Sequence, residues 1–424
     1  MNISALYNLY LQHPQITTDS RNVNAGDLYF ALKGDRFNGN QFALESLEKG
    51  AAYAIIDEDI DAENVKLIKV ADVLTTLQQL AAHHRNQFTI PFIAITGSNG
   101  KTTTKELVSA VLATHFITYT TKGNLNNHIG IPLTILRIKP DAQMAVIEMG
   151  ANHQHEIEGY CIYTQPTHGV ITNCGKAHLE GFGGEEGVKK GKGELFQFLS
   201  THDGTAFAFE DYDYLHSLSQ QVPNVIWYGT KSGILKGKVL QANSFLQVEI
   251  SGAIAITVKT QLVGTYNLPN ILCAATIGHH FGVPADKIKM AIENYVPSNS
   301  RSQLIQWRNN EVILDAYNAN PSSMQLAIEN FAQMPGENKV LILGAMMELG
   351  ESSIDEHKAL IQLIQEYPWN QVVLVGGDFG KIQHPYLFFP NSTDAKLWLE
   401  EKQPAMHQIL LKGSRSMQME KVIS

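Results

Sequence analysis

The segment "FIAITGSNGKTTTKE", Phe92 to Glu106, places a glycine-rich turn between an apolar run and a run typical of a helix. Backbone N–H groups converge at such a turn and the helix dipole adds partial positive charge, so the pattern favours phosphate binding. Lys101 would reach the β- and γ-phosphates of a nucleotide, and Thr102 would bind Mg²⁺. The usual pattern has another glycine five residues before Gly100, where this chain has Ile95. The alternative is a surface turn with a chance Gly-Lys-Thr, and the position directly after an apolar run argues against it.

Three further residues are candidates for metal chemistry. Glu148 ends the apolar run "MAVIEMG", and a carboxylate at the end of a strand suits Mg²⁺. His178 is either a metal ligand or a structural histidine. A Lys192 cation near Mg²⁺ would be unfavourable, but adding CO₂ to its neutral amine gives a carbamate with two oxygen ligands. The alternative for Lys192 is a solvated lysine.

Two C-terminal segments collect polar residues beside predicted strands. In "DAYNANPSSM" a polar turn precedes a helix that we expect to start near Pro321. This turn holds Asp315, Tyr317, Asn318 and Asn320. A simple capping loop is the alternative. Lys412 and Arg415 in "KGSRSMQME" follow a strand, where they could contact an anion or be solvated.

Apolar runs and turns divide the chain into three blocks. Residues 1–85 mix short strands with turns and end near the helical stretch "VLTTLQQLAAHHRNQ". In residues 86–297 the runs "PFIAIT", "MAVIEMG" and "HGVITN" predict buried strands of a mostly parallel sheet. In residues 298–424 strands and helices alternate, as in a Rossmann-like domain without the dinucleotide glycine motif. We predict an α/β protein with a small mixed α/β N-terminal domain, a central P-loop-type ATPase domain and a C-terminal Rossmann-like domain.

Length, composition and charge restrict the class of protein. At 424 residues the chain exceeds one hydrophobic core, which favours several domains. A net charge of −9 disfavours nucleic acid and anionic membranes as partners, but a local basic pocket could still bind an anionic small molecule. The N-terminal residues predict no signal peptide, and no apolar run reaches the length of a membrane span. The three cysteines favour free thiols in a reducing cytoplasm, and we expect a cytoplasmic monomer.

Together these segments resemble the Mur ligase family over nearly the whole chain. The loop "TGSNGKT" has the family's shortened form, which accounts for Ile95. The other similar segments are "TTDSRNVNAGDLYFALKGDRFNG", "KGNLNNHIGIPLTIL", "EMGANH", "TNCGKAHLEGFG", "KGKGELF", "GTYNLPNILCAA", "AYNANPSSM", "LGAMMELG" and "LLKGSRSMQME". No single segment decides the resemblance; their order does.

The resemblance implies an ATP-dependent peptide ligase, most similar to those that add D-alanyl-D-alanine to UDP-N-acetylmuramoyl-tripeptide. It implies two Mg²⁺ ions and three domains, 1–85 for the UDP-muramoyl peptide, 86–297 for ATP and 298–424 for ligation. ATP would contact Gly97, Ser98, Asn99, Gly100, Lys101, Thr102, Thr103, Asn267, Asn270, Arg301 and Asp315. The implied metal ligands are Thr102, Glu148, His178 and a carbamylated Lys192, and the implied catalytic residues are Lys101, Glu148, His178 and Lys192. The substrates would contact Ser20, Arg21, Asn124, Asn126, Asn127, His128, Tyr317 and Asn318.

Four positions depart from the family pattern. Tyr266 stands where a histidine is common before the first adenine-side asparagine, and Ala345 replaces an acidic residue of "LGDMxELG". Gly191 stands where alanine is usual, and His155 where glycine is usual. The first two bear on the adenine contacts and on the dipeptide side of the pocket.

Two alternatives remain open from the sequence. One is a sibling ligase, either the enzyme that adds the third amino acid or a folylpolyglutamate synthetase. The first of these usually carries a D-N-P-[RA] motif, which this sequence lacks. The other alternative is a non-catalytic nucleotide-binding protein, which would have no need for Lys101, Glu148, His178 and Lys192 together.

Overall fold

The computed structural model describes residues 2–61, 64–298, 300–403 and 405–424. Helices and strands alternate along these residues, as expected of an α/β protein. The helices are α1 (Ile3–Gln12), α2 (Ala43–Glu48), α3 (Val73–Arg85), α4 (Lys101–Ala113), α5 (Gly130–Ile135), α6 (Glu156–Thr164), α7 (Leu179–Phe182), α8 (Glu185–Thr201), α9 (Asp213–Ser219), α10 (Leu268–His280), α11 (Ala285–Asn294), α12 (Pro321–Gln333), α13 (Ser353–Gln365) and α14 (Ser392–Lys402). None of the helices in these residues is long and apolar enough to span a bilayer.

The strands are short and most of them belong to parallel sheets. They are β1 (Ile16–Thr17), β2 (Leu28–Phe30), β3 (Lys33–Gly34), β4 (Phe37–Asn38), β5 (Tyr53–Ile56), β6 (Leu67–Lys69), β7 (Phe92–Thr96), β8 (Thr118–Thr120), β9 (Met144–Glu148), β10 (His168–Ile171), β11 (Thr205–Phe209), β12 (Asn224–Tyr228), β13 (Leu235–Gln241), β14 (Gln247–Gly252), β15 (Ile256–Lys259), β16 (Gln303–Trp307), β17 (Asn310–Asp315), β18 (Lys339–Gly344), β19 (Gln371–Val375), β20 (Leu387–Phe389) and β21 (Gln408–Lys412).

The chain divides into two compact units. The first unit comprises Met1–Ala94, Phe116–Gly150 and Glu156–His168. The second unit comprises Ile95–His115, Ala151–His155 and Gly169–Ser424.

The N-terminal part of the first unit is a four-stranded parallel sheet in the order β1-β2-β5-β6. Its apolar side chains form a small core in which Tyr29 and Ala54 pack against Ala43 of α2. The sequence "DLYFALKG" predicts one strand here, but the structure has two, β2 and β3. After β2 the chain leaves the four-stranded sheet, and β3 pairs with β4 in a separate antiparallel hairpin. The N–H of Gly39, just after β4, donates to the carbonyl of Leu32, just before β3, at 2.9 Å.

Helix α3 packs against α1, α5 and α6 in the first unit. Its last residue, Arg85, is buried and donates Nε to the carbonyl of Thr164 at 2.9 Å and Nη2 to that of Gln165 at 3.0 Å. Burial lowers the pKa of Arg85 to about 10. These bonds fasten the end of α3 to the end of α6.

Six strands form the central sheet in the order β12-β11-β10-β7-β9-β8. The pairs β11–β12 and β8–β9 are parallel, as the sequence predicts. Every residue of β7 and β9 is buried, which is typical of a parallel sheet with covered faces. In the second unit α4 packs against α10 and α11.

The antiparallel sheet β13-β14-β15 was not predicted. Its outer strand β13 alternates buried and exposed residues only at its start, so the period-two signal is weak. This sheet packs on α10 and α11.

The C-terminal sheet has the order β16-β17-β21-β18-β19-β20. Its β16–β17 pair is antiparallel and its other pairs are parallel, as in the predicted Rossmann-like series. Ala395 and Leu399 of α14 lie in the same apolar core as Val340, Val373 and Leu411 of the sheet. The segments "DAYNANPSSM" and "KGSRSMQME" follow the ends of β17 and β21, which are neighbours.

Candidate active site

The turn after β7 is a glycine loop that opens α4 in the second unit. Gly97 and Gly100 have positive φ angles of 141° and 79°. A Cβ on Gly97 would lie 2.0 Å from the hydroxyl oxygen of Thr172, so only glycine fits there. Ile95 is fully buried within β7. The turn therefore begins at Gly97 and does not need the earlier glycine of longer phosphate loops.

The segment after β10 fixes the backbone of this loop. The N–H of Ser98 donates to the carbonyl of Asn173 at 2.8 Å, and the Ser98 hydroxyl donates to the carbonyl of Gly175 at 2.8 Å. The N–H of Asn99 donates to Oδ1 of Asn173 at 3.0 Å. The carbonyl of Asn99 accepts from Nδ2 of Asn173 at 3.1 Å and from the Thr172 hydroxyl at 2.6 Å. The N–H groups of Ser98 and Asn99 therefore point into the protein.

Lys101 and Thr102 occupy the first turn of α4. The Lys101 ammonium donates to the carbonyl of Gly97 at 2.7 Å and to that of Ser98 at 3.1 Å, so it lies beside the glycine loop. Thr102 is buried and Thr103 is half-buried. The sequence placed this cation and these hydroxyls at the loop, and the structure does the same.

The two predicted adenine-side asparagines, Asn267 and Asn270, lie behind the loop and bond to each other. Nδ2 of Asn270 donates to Oδ1 of Asn267 at 2.9 Å, and Oδ1 of Asn270 accepts from the Thr104 hydroxyl at 3.0 Å. Asn267 donates to the carbonyl of Val263 at 2.8 Å. The amides therefore connect the start of α10 to the side of α4.

Two of the departures from the family pattern have local explanations. The Tyr266 hydroxyl lies 3.0 Å from that of Ser302, and burial raises the pKa of Tyr266. Ala345 is fully buried, and a Cβ on Gly377 would lie 2.4 Å from the Ala345 methyl group. The Ala345 methyl group therefore packs closely against Gly377.

The end of β17 carries an ion pair that the sequence did not indicate. Lys412 Nζ lies 2.5 Å from Oδ2 of Asp315 and donates to the carbonyl of Asn318 at 3.2 Å. Lys412 is buried, so it is not the solvated lysine that was one alternative. The Arg301 guanidinium lies 3.5 Å above the ring of Tyr317. Asp315, predicted to contact ATP, thus has its charge balanced by Lys412.

His178 contacts a glutamate that sequence reasoning missed. Its Nδ1 lies 2.5 Å from Oε2 of Glu348, and this contact lowers the pKa of Glu348. Both residues have positive φ angles, 52° for His178 and 62° for Glu348. The only sequence signal for Glu348 was its place in "LGAMMELG".

Lys192 is buried in α8. Its ammonium donates to the carbonyl of Ala151 at 2.8 Å and lies 4.7 Å from the centre of the Phe182 ring. Gly191 is in contact with the same ring, because a Cβ there would lie 2.5 Å from a Phe182 ring carbon. The solvated alternative for Lys192 is wrong.

In the first unit, Glu148 ends β9 with its side chain buried. Asn126 Nδ2 donates to Oε1 of Glu148 at 2.8 Å, and the Asn126 carbonyl accepts the N–H of Gly150 at 2.7 Å. The Glu148 N–H donates to the Thr121 hydroxyl at 3.0 Å. Asn126, predicted as a substrate residue, thus holds one oxygen of the Glu148 carboxylate.

The other predicted substrate residues of this segment lie at the surface. Asn124, Asn127 and His128 are exposed. Oδ1 of Asn127 accepts the N–H of Gly130, the first residue of α5, at 2.8 Å.

Ser20 and Arg21 lie in a short turn of the N-terminal sheet region. Arg21 is exposed and its guanidinium donates to both carboxylate oxygens of Asp19, each at 2.8 Å. These bonds lower the pKa of Asp19 to about 2. The carbonyl of Ser20 accepts from Lys49 at 2.9 Å.

The donor chemistry fits Mg²⁺ better than a softer metal. Within the described part of the chain, no three side chains among His, Cys, Asp and Glu form a cluster that would hold a metal ion. Thr102 and Glu148 offer oxygen atoms, which Mg²⁺ prefers and usually combines with phosphate oxygens and water.

Three regions of the chain match family profiles in sequence order. They are "Mur ligase family, catalytic domain" at residues 14–85, "Mur ligase middle domain" at 95–278 and "Mur ligase, glutamate ligase domain" at 300–395. The chain belongs to the Mur ligase family. The glycine loop therefore lies near the start of the Mur ligase middle domain.

Individual Mur ligases match over nearly their whole length. The Escherichia coli UDP-N-acetylmuramoyl-tripeptide--D-alanyl-D-alanine ligase is 34% identical over 96% of this chain and 92% of its own. A crystal structure of MurF from Acinetobacter baumannii has a TM-score of 0.89 at 31% identity, covering 96% of this chain and 92% of that one. The Thermotoga maritima MurF ligase in complex with ADP has a TM-score of 0.88 at 26% identity, covering 97% and 96%.

Proposed function

We propose that this Mur ligase uses ATP to join D-alanyl-D-alanine to UDP-N-acetylmuramoyl-tripeptide, a step of peptidoglycan precursor synthesis. The observation that carries the proposal is the 34% identity, over 96% of the chain, to the E. coli enzyme named for this reaction. The glycine loop supports the use of ATP, and so does the ADP complex of the T. maritima relative. The substrates are small molecules, and we propose a cytoplasmic monomer with domains at 1–85, 86–297 and 298–424.

The chemistry must activate a carboxylate, which is a poor electrophile. An oxygen of the tripeptide's terminal carboxylate attacks the γ-phosphorus of ATP, which gives an acyl phosphate and ADP. The amine of D-alanyl-D-alanine then attacks the acyl carbon, the amine loses a proton, and inorganic phosphate leaves with the C–O bond pair. Both partners of the first step are anionic, so their repulsion must be offset.

All of the proposed ATP contacts lie in the second unit. Lys101 would neutralise charge on the phosphates, and the N–H groups of the first turn of α4 would bind their oxygens. The remaining proposed contacts of ATP are Gly97, Ser98, Asn99, Gly100, Thr102, Thr103, Asn267, Asn270, Arg301 and Asp315. Because the N–H groups of Ser98 and Asn99 are engaged by Asn173, we expect these two residues to shape the loop rather than bind phosphate through their backbone.

Oxygen donors support the proposal of two Mg²⁺ ions. Thr102 and Glu148 are the proposed ligands, with His178 and a carbamylated Lys192 as further ones. Mg²⁺, when bound, would offset the negative charge of the phosphates and the carboxylate. Asn126 would hold the Glu148 carboxylate in one orientation.

The burial of Lys192 supports its proposed carbamylation. A carbamate forms from CO₂ and the neutral amine and replaces a cation by two oxygen donors, which suits a metal site. Lys192 is buried beside Phe182, so its position is not that of a solvated surface lysine.

We propose that Ser20, Arg21, Asn124, Asn126, Asn127 and His128 contact the UDP-muramoyl peptide, and that Tyr317 and Asn318 contact a substrate. Exposure of Arg21, Asn124, Asn127 and His128 leaves these polar groups accessible to a ligand, whereas Asn126 is half-buried.

Mass spectrometry of the ligation product tests the proposal. We expect product only with ATP, UDP-tripeptide and D-alanyl-D-alanine together, at one ADP per product and a mass gain of the dipeptide less water. The panel includes tripeptides ending in diaminopimelate or lysine. Product from UDP-dipeptide and a single amino acid, or from a folate and glutamate, would identify a sibling ligase. ATP binding without any product would identify a nucleotide-binding protein.

A further inference from the structure

Three asparagines form a line of hydrogen bonds through the glycine loop. Asn173 holds both backbone groups of Asn99, its Oδ1 accepting the N–H at 3.0 Å and its Nδ2 donating to the carbonyl at 3.1 Å. The Asn99 side chain faces the other way, and its Oδ1 accepts from Nδ2 of Asn320 at 2.8 Å. Asn99 therefore has its backbone fixed from one side and its side chain fixed from the other.

The orientation of the Asn320 amide is set by the helix it caps. Its Oδ1 accepts the N–H of Ser323 at 2.9 Å, and its own N–H donates to the Ser323 hydroxyl at 3.1 Å, which is a capping box at the start of α12. The oxygen end of the amide is thereby used, so the nitrogen end faces Asn99. Asn320 is only 7% exposed, so water does not compete for this bond.

A second contact fastens the start of α12 to the same region. The N–H of Lys176 donates to the Ser322 hydroxyl at 2.7 Å. A Cβ on Gly175 would lie 2.8 Å from that hydroxyl oxygen, so the approach is close. The start of α12 is thus attached both to the loop and to the segment that anchors the loop.

We propose that Asn320 is a positioning residue that sets the start of α12, and with it Asp315, Tyr317 and Asn318, against the phosphate loop. Asn173 has the complementary task of fixing the loop for ATP. The inference rests on the proposed function, in which ATP binds the loop and the residues before α12 serve the ligation. Although both asparagines contact Asn99, substitution of Asn320 should then lower kcat for ligation, and substitution of Asn173 should raise the Kd for ATP.

Asn320→Ser separates positioning from capping. Serine still caps α12 but is too short to reach Asn99. We expect kcat for ligation to fall about tenfold, the effect of losing one neutral hydrogen bond at a site that must be aligned. The Kd of a non-hydrolysable ATP analogue, measured by calorimetry without other substrates, should stay within about twofold, because Asn173 still holds the loop.

Two further variants complete the comparison. Asn173→Ala should raise the Kd of the ATP analogue about tenfold, because two hydrogen bonds to the Asn99 backbone are lost. Asn391→Ser is the control, since the Asn391 side chain also caps a helix, accepting the N–H of Asp394 at 3.0 Å at the start of α14, and belongs to no proposed site. It should leave kcat and Kd unchanged.

A double-mutant cycle assigns the effect to one bond. Asn99→Ala removes the partner of Asn320 but keeps the backbone groups that bond Asn173. The losses in kcat from Asn99→Ala and Asn320→Ser should not add, because both remove the same hydrogen bond.

Three results would overturn the inference: an unchanged kcat in Asn320→Ser, additive losses of kcat from Asn99→Ala and Asn320→Ser, or a Kd of Asn320→Ser raised as much as that of Asn173→Ala. The proposed function would stand in each case, provided that the wild-type protein forms the ligated product. If Asn173→Ala does not fold, the kcat values of Asn320→Ser, Asn99→Ala and their double variant still test the inference. Wild-type protein that binds the analogue but forms no ligated product would overturn the proposed function and, with it, this inference.

Discussion

At the scale of single residues, Lys101 is the cation that accompanies the glycine loop. Its ammonium lies 2.7 Å from the carbonyl of Gly97. A change of side-chain rotamer would move the ammonium from the loop carbonyls to a bound phosphate. Lys101→Met keeps the chain length and removes the charge. We expect kcat to fall about 100-fold or more, because a preorganised charge on the transferred phosphoryl group is lost. Steady-state ADP release measures this, and Lys358→Met, an exposed lysine of α13, should act as wild type. Activity of Lys101→Met close to that of Lys358→Met would contradict the assignment.

Lys192 allows a chemical test of the carbamate. Lys192→Ala should lose nearly all ligation, and formate should restore part of it by supplying a carboxylate in the emptied space. Lys189→Ala, three residues earlier in α8 and paired at the surface with Glu186, is the control and should keep its activity. Full activity of Lys192→Ala without formate would remove the carbamate from the account.

The sequence predicted the types of residue at the site better than their partners. The Gly-Lys-Thr loop and Glu148 could be singled out because each stands next to an apolar run, whereas Lys192 was singled out through the family resemblance of "KGKGELF". Asn173, Glu348 and the pairing of Lys412 with Asp315 could not, because these contacts join segments far apart in the chain. Only the folded chain brings β17 beside β21 and places Lys412 against Asp315.

At the scale of elements, the glycine turn depends on its backbone shape. Gly97→Ala would place a methyl group 2.0 Å from the Thr172 hydroxyl oxygen and 3.0 Å from the Asn173 carbonyl oxygen, with φ at 141°. We expect a loss of about 2–3 kcal/mol in the free energy of unfolding and weaker ATP binding. Gly159→Ala in α6 is the matched control, because nothing lies within 4 Å of its added Cβ. Alanine there should be neutral or stabilise by about 0.5–1 kcal/mol, since it favours a helix. Thermal unfolding and analogue titration compare the two, and equal effects would contradict the argument.

Helices with a clear periodicity of apolar residues and strands with a long apolar run were predictable from the sequence. The strands β7 and β9 and the helix α3 appear where the sequence placed them. The small strands β3 and β4 and the sheet β13-β14-β15 were not foreseen. The strands β3 and β4 have two residues each, too few for a hydrophobic pattern, and β13 has exposed residues at its end. The pairing of β13 with β14 and β15 depends in part on packing against α10 and α11.

At the scale of the whole molecule, buried histidines make stability depend on pH. Burial lowers the pKa of His84 and of His357 below the ordinary value near 6.5. Nε2 of His357 accepts the N–H of Met346 at 3.1 Å, so this nitrogen must stay unprotonated in the folded state. Unfolded histidines take up protons as the pH falls through about 6.5 while the folded ones do not. The stability they contribute is therefore present above that pH and is lost as the pH falls towards their folded pKa values.

Thermal unfolding between pH 7.5 and pH 5.5 at constant ionic strength checks this dependence. We expect Tm to fall as the pH falls, and His357→Gln to reduce the slope, because one titrating histidine is removed. A Tm that is constant or rises over this range would contradict the sign.

The central claim is that a carboxylate becomes reactive by accepting the γ-phosphoryl group of ATP. The most direct test labels both carboxylate oxygens of the acceptor tripeptide with ¹⁸O and follows the inorganic phosphate by mass spectrometry. If an acyl phosphate forms, the bridging oxygen leaves with phosphorus, so each phosphate released during ligation should carry one ¹⁸O atom. Ligated product accompanied only by unlabelled phosphate would contradict the account.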